Sequence, residues 1–213
     1  MTSLAYHNTL ARYNGYFMAK ESMKEIENTI AQSSDDNFSR ILRIHPKVTP
    51  AIVSAINPQL EVVIEKASLP IQRHKNSRWV DNSYTLVGRS RYYKLDYDNA
   101  AITFKFVNSK SDTPDDKHEA LCWMLRTFTQ TEQYDNAFSV ISFLGKEELS
   151  KKNKETYTLA KAELYQILDD KEAFLGAVSE ASEVVKSRNN KARTSFIMGQ
   201  LNQKSGNDED AYI

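Results

Sequence analysis

A chain of 213 residues, 40% of them hydrophobic, is long enough to bury the core of one ordinary domain or two small ones, and its 28 Lys plus Arg against 28 Asp plus Glu give a formal charge of zero. That balance excludes a global field favouring nucleic acid or an anionic membrane, so partner choice rests on local patches. The single cysteine excludes an intramolecular disulfide and a cysteine-rich zinc site, no stretch approaches the roughly eighteen apolar residues of a membrane span, and six glycines with five prolines are too few for the turns of a many-stranded β protein.

Residues 4–31 read as one long helix or a helix pair, with Leu4, Tyr6, Leu10, Tyr13, Phe17, Met23, Ile26 and Ile30 as its apolar series and the polar run 32–37 ending it. The short segment Phe38 to Ile44, closed by His45-Pro46, reads equally as an extended connector or a helical turn. Pro46, Pro50, Pro58 and Pro114 follow His45, Thr49, Asn57 and Thr113 and are expected to open helices, because a proline at the first helical position loses an N–H that would be unpaired there anyway. Ile52, Val53 and Ile56, then Leu60, Val63, Ile64 and Ala67, recur at three- and four-residue steps, and Leu69-Pro70-Ile71 predicts a kink or restart near Ser68.

Beyond this point the chain is self-similar. A shift of 37 residues aligns Gly88, Leu125, Ala162 and Gly199, and in the same frame Ala100, Ala137, Phe174 and Ala211; Phe104, Ile141 and Val178 coincide, as do Val107, Leu144 and Ala181. Asp98, Asp135, Glu172 and Glu209 place an acid near the start of every second helix, where it opposes the positive end of the helix dipole. Small residues let paired helices approach, large apolar ones fill the gap to the next pair, and stacking supplies a core that one pair alone cannot form. The predicted fold class is all-α: an N-terminal helical region at 1–75 packed on about three and a half repeats at 76–213.

This pattern resembles the tetratricopeptide repeat. Tyr84, Val87, Gly88, Tyr97, Ala100, Phe104 and Val107 stand at that repeat's signature positions, and Pro114 lies close to its terminal proline. The second unit matches through Leu121, Met124, Tyr134, Ala137, Ile141 and Leu144; the third has Lys161 at a normally apolar position and Phe174 for alanine, which predicts a one-residue shift of its first helix; the fourth, Arg193 to Ile213, ends inside its second helix, as a fragment would. Tyr6-His7-Asn8 with Arg12 to Phe17, Arg78 to Tyr84, and Phe196 to Leu201 resemble phrases of the SprE/PorW family, the tetratricopeptide lipoproteins of Bacteroidota gliding motility and type IX secretion. The resemblance implies a non-catalytic scaffold in the periplasm, at the inner face of the outer membrane, whose partners are the secretion translocon and periplasmic ring components. No Cys precedes Tyr6, so the lipid anchor it implies is expected upstream of this chain.

The residues show little that points to chemistry. The glycines are isolated, which argues against a phosphate loop, and His7, His45, His74 and His118 lack metal-site spacing, so no cofactor or metal is expected. His118-Glu119 reads as a helix face in water, His7 as a partly buried structural residue, Tyr13, Tyr16 and Phe17 as core, and Cys122 as packing. Arg78, Arg89, Arg91 and Lys94 interleave with Trp79, Tyr92 and Tyr93, the residue types that bind single strands, but Tyr84 and Gly88 place them on a repeat helix and no nucleic-acid partner is expected. First helices of such stacks line a concave groove, and Arg89, Tyr92, Tyr93, Glu119, Arg126, Gln130, Arg193 and Gln200 are its candidate protein-binding residues. The repeats alone also fit a cytoplasmic adaptor or co-chaperone binding peptide segments, whereas an enzyme would need a catalytic cluster assembled from distant residues.

Overall fold

The computed structural model describes residues 3–204, which form ten α-helices and no strand. α1 (Ser3–Ala11) runs through a π-helical turn (Arg12–Tyr16) into α2 (Phe17–Gln32); α3 is Pro50–Arg73, α4 Val80–Tyr93, α5 Tyr97–Lys110, α6 Pro114–Gln130, α7 Tyr134–Leu144, α8 Lys151–Ile167, α9 Lys171–Val184 and α10 Arg188–Lys204. The starts and ends of α6, α8 and α10 fall at 37-residue steps, as do the starts of α5, α7 and α9. From α2 to α10 each helix packs on the next, and α2, α4, α6 and α8 also touch in series to form one layer. The chain is a tetratricopeptide-like α-solenoid of stacked antiparallel helix pairs. None of its described helices is long and apolar enough to cross a membrane.

The repeat columns are its packing seams. Leu125, Ala162, Ala100, Ala137, Phe104, Val178, Val107 and Ala181 are fully buried, and Asp98, Asp135 and Glu172 lie in the first turns of α5, α7 and α9. Gly88 is a place where only hydrogen fits, since a Cβ there would lie 2.5 Å from Cε1 of Phe104. The third unit keeps its register: Ala162 is the buried residue, and Lys161 turns aside to Glu180 at 2.8 Å, so the expected one-residue shift does not occur. Ala211, Glu209 and the second helix of the fourth unit lie outside the described residues.

The columns do not display one further repeated feature. Leu95, Glu132 and Asp169, again 37 residues apart, have φ of 62°, 58° and 55°. In each case the next amide donates back to a carbonyl five residues earlier, as Asp96 N does to Arg91 O at 2.9 Å, so these first helices end in a left-handed turn without glycine.

The N-terminal rod differs most from expectation. Its buried seam is Ala11, Gly15, Ala19, Met23, Ile26 and Ile30, whereas Leu4, Tyr6, Tyr13 and Phe17 are exposed. Close approach is the reason, because a Cβ on Gly15 would meet Pro70 Cδ at 2.5 Å and the Lys66 carbonyl at 2.8 Å. Small residues therefore face α3 and the aromatics turn outward. Of the three aromatics expected in the core only Tyr16 is partly buried, stacked on Trp79 at 4.8 Å. Pro70 does not restart the helix: its ring is buried in the notch at Gly15, and α3 continues to Arg73. Pro50 and Pro114 open helices as expected, but Pro58 lies inside α3 on its exposed side, and Pro46 lies in the connector between α2 and α3.

Candidate protein-binding groove

The inner layer carries a polar column at 37-residue steps: Arg89, Arg126, Glu163 and Gln200, from α4, α6, α8 and α10. Two like charges follow one another in it, and each guanidinium has an acid. Arg89 Nη2 donates to Glu27 Oε1 of α2 at 2.5 Å, with the Tyr93 hydroxyl on the same oxygen at 2.8 Å, and Arg126 Nε donates to Glu163 Oε2 at 3.0 Å. Both guanidiniums lie over Trp123, at 4.9 and 4.8 Å, and Arg126 also covers Tyr92 at 4.9 Å. Burial pulls against both cations, but Glu27 beside Arg89 and Glu163 beside Arg126 more than offset it and leave both held protonated. Burial, foremost, pushes the Tyr92 and Tyr93 hydroxyls up, so both rings are neutral packing.

The eight candidate residues thus divide by location. Arg89, Tyr93, Glu119 and Arg126 border a cleft of about 550 Å³ beside α2. Gln130 supports it from behind by donating to Glu163 Oε1 at 3.1 Å, and Tyr92 is buried below Arg126. Lys151 and Lys152 open α8 at the rim of this cleft, with Lys152 paired to the buried Glu119 at 2.6 Å. Arg193 and Gln200 lie further along the face and do something the sequence did not disclose.

Residues 33–49, which join α2 to α3, are neither helix nor strand; they turn at 37–40, where Arg40 N donates to Asn37 O at 3.1 Å, and then cross the inner face of the repeats. Gln200 donates to the carbonyls of Arg40 at 2.6 Å and Phe38 at 3.1 Å and accepts from Leu42 N at 2.9 Å. Gln166 of α8 donates to Leu42 O at 2.7 Å and accepts from Ile44 N at 2.9 Å. The Leu42 backbone is therefore gripped from both sides by side-chain amides. Arg193 forks onto both carboxylate oxygens of Asp36, at 3.3 and 2.6 Å, and donates to Arg43 O at 2.9 Å. Leu42 and Ile44 point into an apolar cluster with Leu159, Ala162, Phe174 and Ile197, while Arg43 between them is exposed. Such period-two burial is what a strand shows. The sequence signal was this alternation; Gln166, Asp36, Glu163 and Glu27 carried none, because each is an ordinary polar residue of a helix or loop.

At the end of this strap His45 is partly buried, with Nε2 shielded, lacking a hydrogen-bond partner and 3.9 Å from Glu163. Burial, then the Arg126 and Arg193 cations, hold its pKa well below the ordinary imidazole range, so it is neutral. The other histidines are placed otherwise than expected or pair across the fold. His118 is buried with Nε2 3.5 Å from Glu147 rather than on a wetted face, and His7 Nδ1 meets His74 Nδ1 at 2.8 Å. Cys122 is buried, with burial foremost pushing its thiol pKa up. The aromatic rings of the basic stretch are engaged: Trp79 lies between Tyr16 and the guanidiniums of Arg12 and Arg78. No known family model and no curated protein matches this chain.

Proposed function

We propose that the chain is a non-catalytic scaffold that binds other proteins through the inner face of its helical stack. One observation carries this reading: the face holds a non-helical segment largely by its main-chain groups, the means by which one protein surface grips another's unstructured chain. In support, three cations of the cleft are committed to ion pairs, Arg89 to Glu27, Arg126 to Glu163 and Lys152 to Glu119, rather than poised for proton transfer. The resemblance of residues 6–17, 78–84 and 196–201 to the SprE/PorW family extends the proposal to the type IX secretion and gliding apparatus, as a periplasmic link between translocon and ring components. The test is crosslinking and capture with the whole protein in its native cells. Recovery of secretion components, with loss of secretion when the gene is deleted, is expected; normal secretion in the deletant refutes that assignment.

A further inference from the structure

The connector at residues 33–49 is far longer than its task requires. Every other link between consecutive helices from α3 to α10 takes three to six residues, and the helices joined by these 17 lie side by side. The surplus length is spent on contacts 122 to 162 positions away in sequence.

Those contacts have the character of ligand recognition. Six hydrogen bonds, from Gln166, Gln200 and Arg193, go to main-chain N–H and C=O groups between Phe38 and Ile44, two of them to carbonyls of the turn at 37–40, and none depends on the identity of a side chain. Two further features select side chains. Arg193 holds a carboxylate at Asp36, and the cluster between α8, α9 and α10 takes aliphatic groups at Leu42 and Ile44. Helices α2, α3 and α4 are built into a separate apolar cluster to which Leu42 and Ile44 do not belong, so lifting the strap leaves that cluster whole.

We infer that the face of α8 and α10 is a track for a non-helical segment of another protein that carries an acidic residue, then a turn, and, six and eight positions after the acid, two aliphatic residues; residues 36–44 fill the track in cis as a built-in stand-in. This rests on the protein-scaffold reading and deepens it. A partner gains the track by displacing the strap, so its apparent affinity is lowered by the fraction of chains whose track is closed.

The experiment uses the full chain and a labelled synthetic peptide of residues 35–46. Leu42→Ala with Ile44→Ala weakens the strap while leaving Gln166, Gln200 and Arg193 in place, and fluorescence anisotropy is expected to show the peptide binding this variant at least about tenfold tighter than wild type. Adding Gln166→Ala and Gln200→Ala abolishes that gain. In the wild-type chain, hydrogen exchange at the amides of Leu42 and Ile44 is expected to speed up at saturating peptide while the helices stay protected; this measurement decides the matter where the double variant does not fold. A folded double variant that ignores the peptide, or wild-type amides that peptide leaves unchanged, overturns the inference. A dimer in which two copies exchange straps overturns it too, because the occupant is then a second copy. A partner captured by a chain whose strap stays protected would sink this inference and leave the scaffold reading standing.

Discussion

Glycine to alanine at two helical positions should shift stability in opposite directions. At Gly88 the new methyl would lie 2.5, 2.8 and 2.9 Å from Cε1, Cζ and Cδ1 of Phe104, about 1 Å inside the normal carbon contact of roughly 3.5–4.0 Å. The ring has no room to retreat: Phe104 is fully buried and stacked on Trp123 at 6.2 Å, and Trp123 lies beneath Arg89 and Arg126. Overpacking of this kind costs about 1–3 kcal/mol, and against an immobile ring the upper half applies. Better helix propensity returns about 1 kcal/mol, for a net loss of about 1–2 kcal/mol. At Gly176 of α9 nothing lies within 4 Å of the added methyl, so only the propensity gain of about 0.5–1 kcal/mol remains. At roughly 2–4 °C per kcal/mol for a chain of this size, Gly88→Ala lowers and Gly176→Ala raises the melting temperature, by several degrees and a few degrees respectively. Far-UV circular dichroism during heating measures both. A Gly88→Ala protein as stable as wild type would refute the claim that this glycine exists to admit Phe104.

The buried pair Arg126–Glu163 predicts that Glu163→Ala loses about 3–5 kcal/mol in urea denaturation, because it strands a buried cation, whereas Arg126→Met with Glu163→Leu recovers most of that loss. Glu132→Gly should stabilise by about 0.5–1 kcal/mol, since the side chain is held at φ 58°, where an L-residue is strained and glycine is not, as urea midpoints will show. His45 is neutral in the folded chain and takes up a proton near pH 6.5 when unfolded, so its contribution is complete above that pH and is lost as pH falls below it. Asp116, pushed up to about 6 chiefly by burial, has the opposite sign and adds stability as pH falls from there toward its ordinary value. Urea midpoints between about pH 7 and 5 should therefore decline less steeply in His45→Gln and more steeply in Asp116→Asn than in wild type. Cys122 should resist a thiol reagent until the chain unfolds, read as absorbance against denaturant.

The repeat was legible in the sequence because its cause is local and recurrent: a small residue such as Gly88 and a large one such as Phe104 must recur together wherever a helix pair closes. The same logic misled at the N-terminal rod. There, side-chain size points to Tyr13 and Phe17 as core, but the approach of Pro70 to Gly15 demands small residues, and both aromatics face outward. The sequence predicts a helix start at Pro58 and a kink or restart at Pro70 because a proline's neighbours in space, here open solvent and a glycine notch, cannot be read along the chain. The groove was half legible. Helical spacing put Arg89, Glu119 and Arg126 on one face, yet nothing nearby in sequence tied Arg193 and Gln200 to residues 36–43, because that contact is made by the return of a distant segment.

The polar column explains why the N-terminal hairpin belongs to the stack. Arg89 and Arg126 are successive members of one inner-face row and both cover Trp123, so a repeat array by itself would bring two cations together over one indole. Glu163, next in the row, pairs with Arg126, and Glu119 of α6, though it favours the Arg89 cation, pairs with Lys152, so the repeats give Arg89 no ion-pair partner of its own. Glu27 supplies it from α2, in the layer position just before α4. At the other end of the row the residue is uncharged Gln200, whose amide holds the strap that leaves α2. The N-terminal hairpin and its connector thus meet the row at three members, with Glu27 beside Arg89, His45 at 3.9 Å from Glu163 and the backbone of residues 38–42 on Gln200, and a partner that takes the place of residues 36–44 would break the last of these contacts and leave the first.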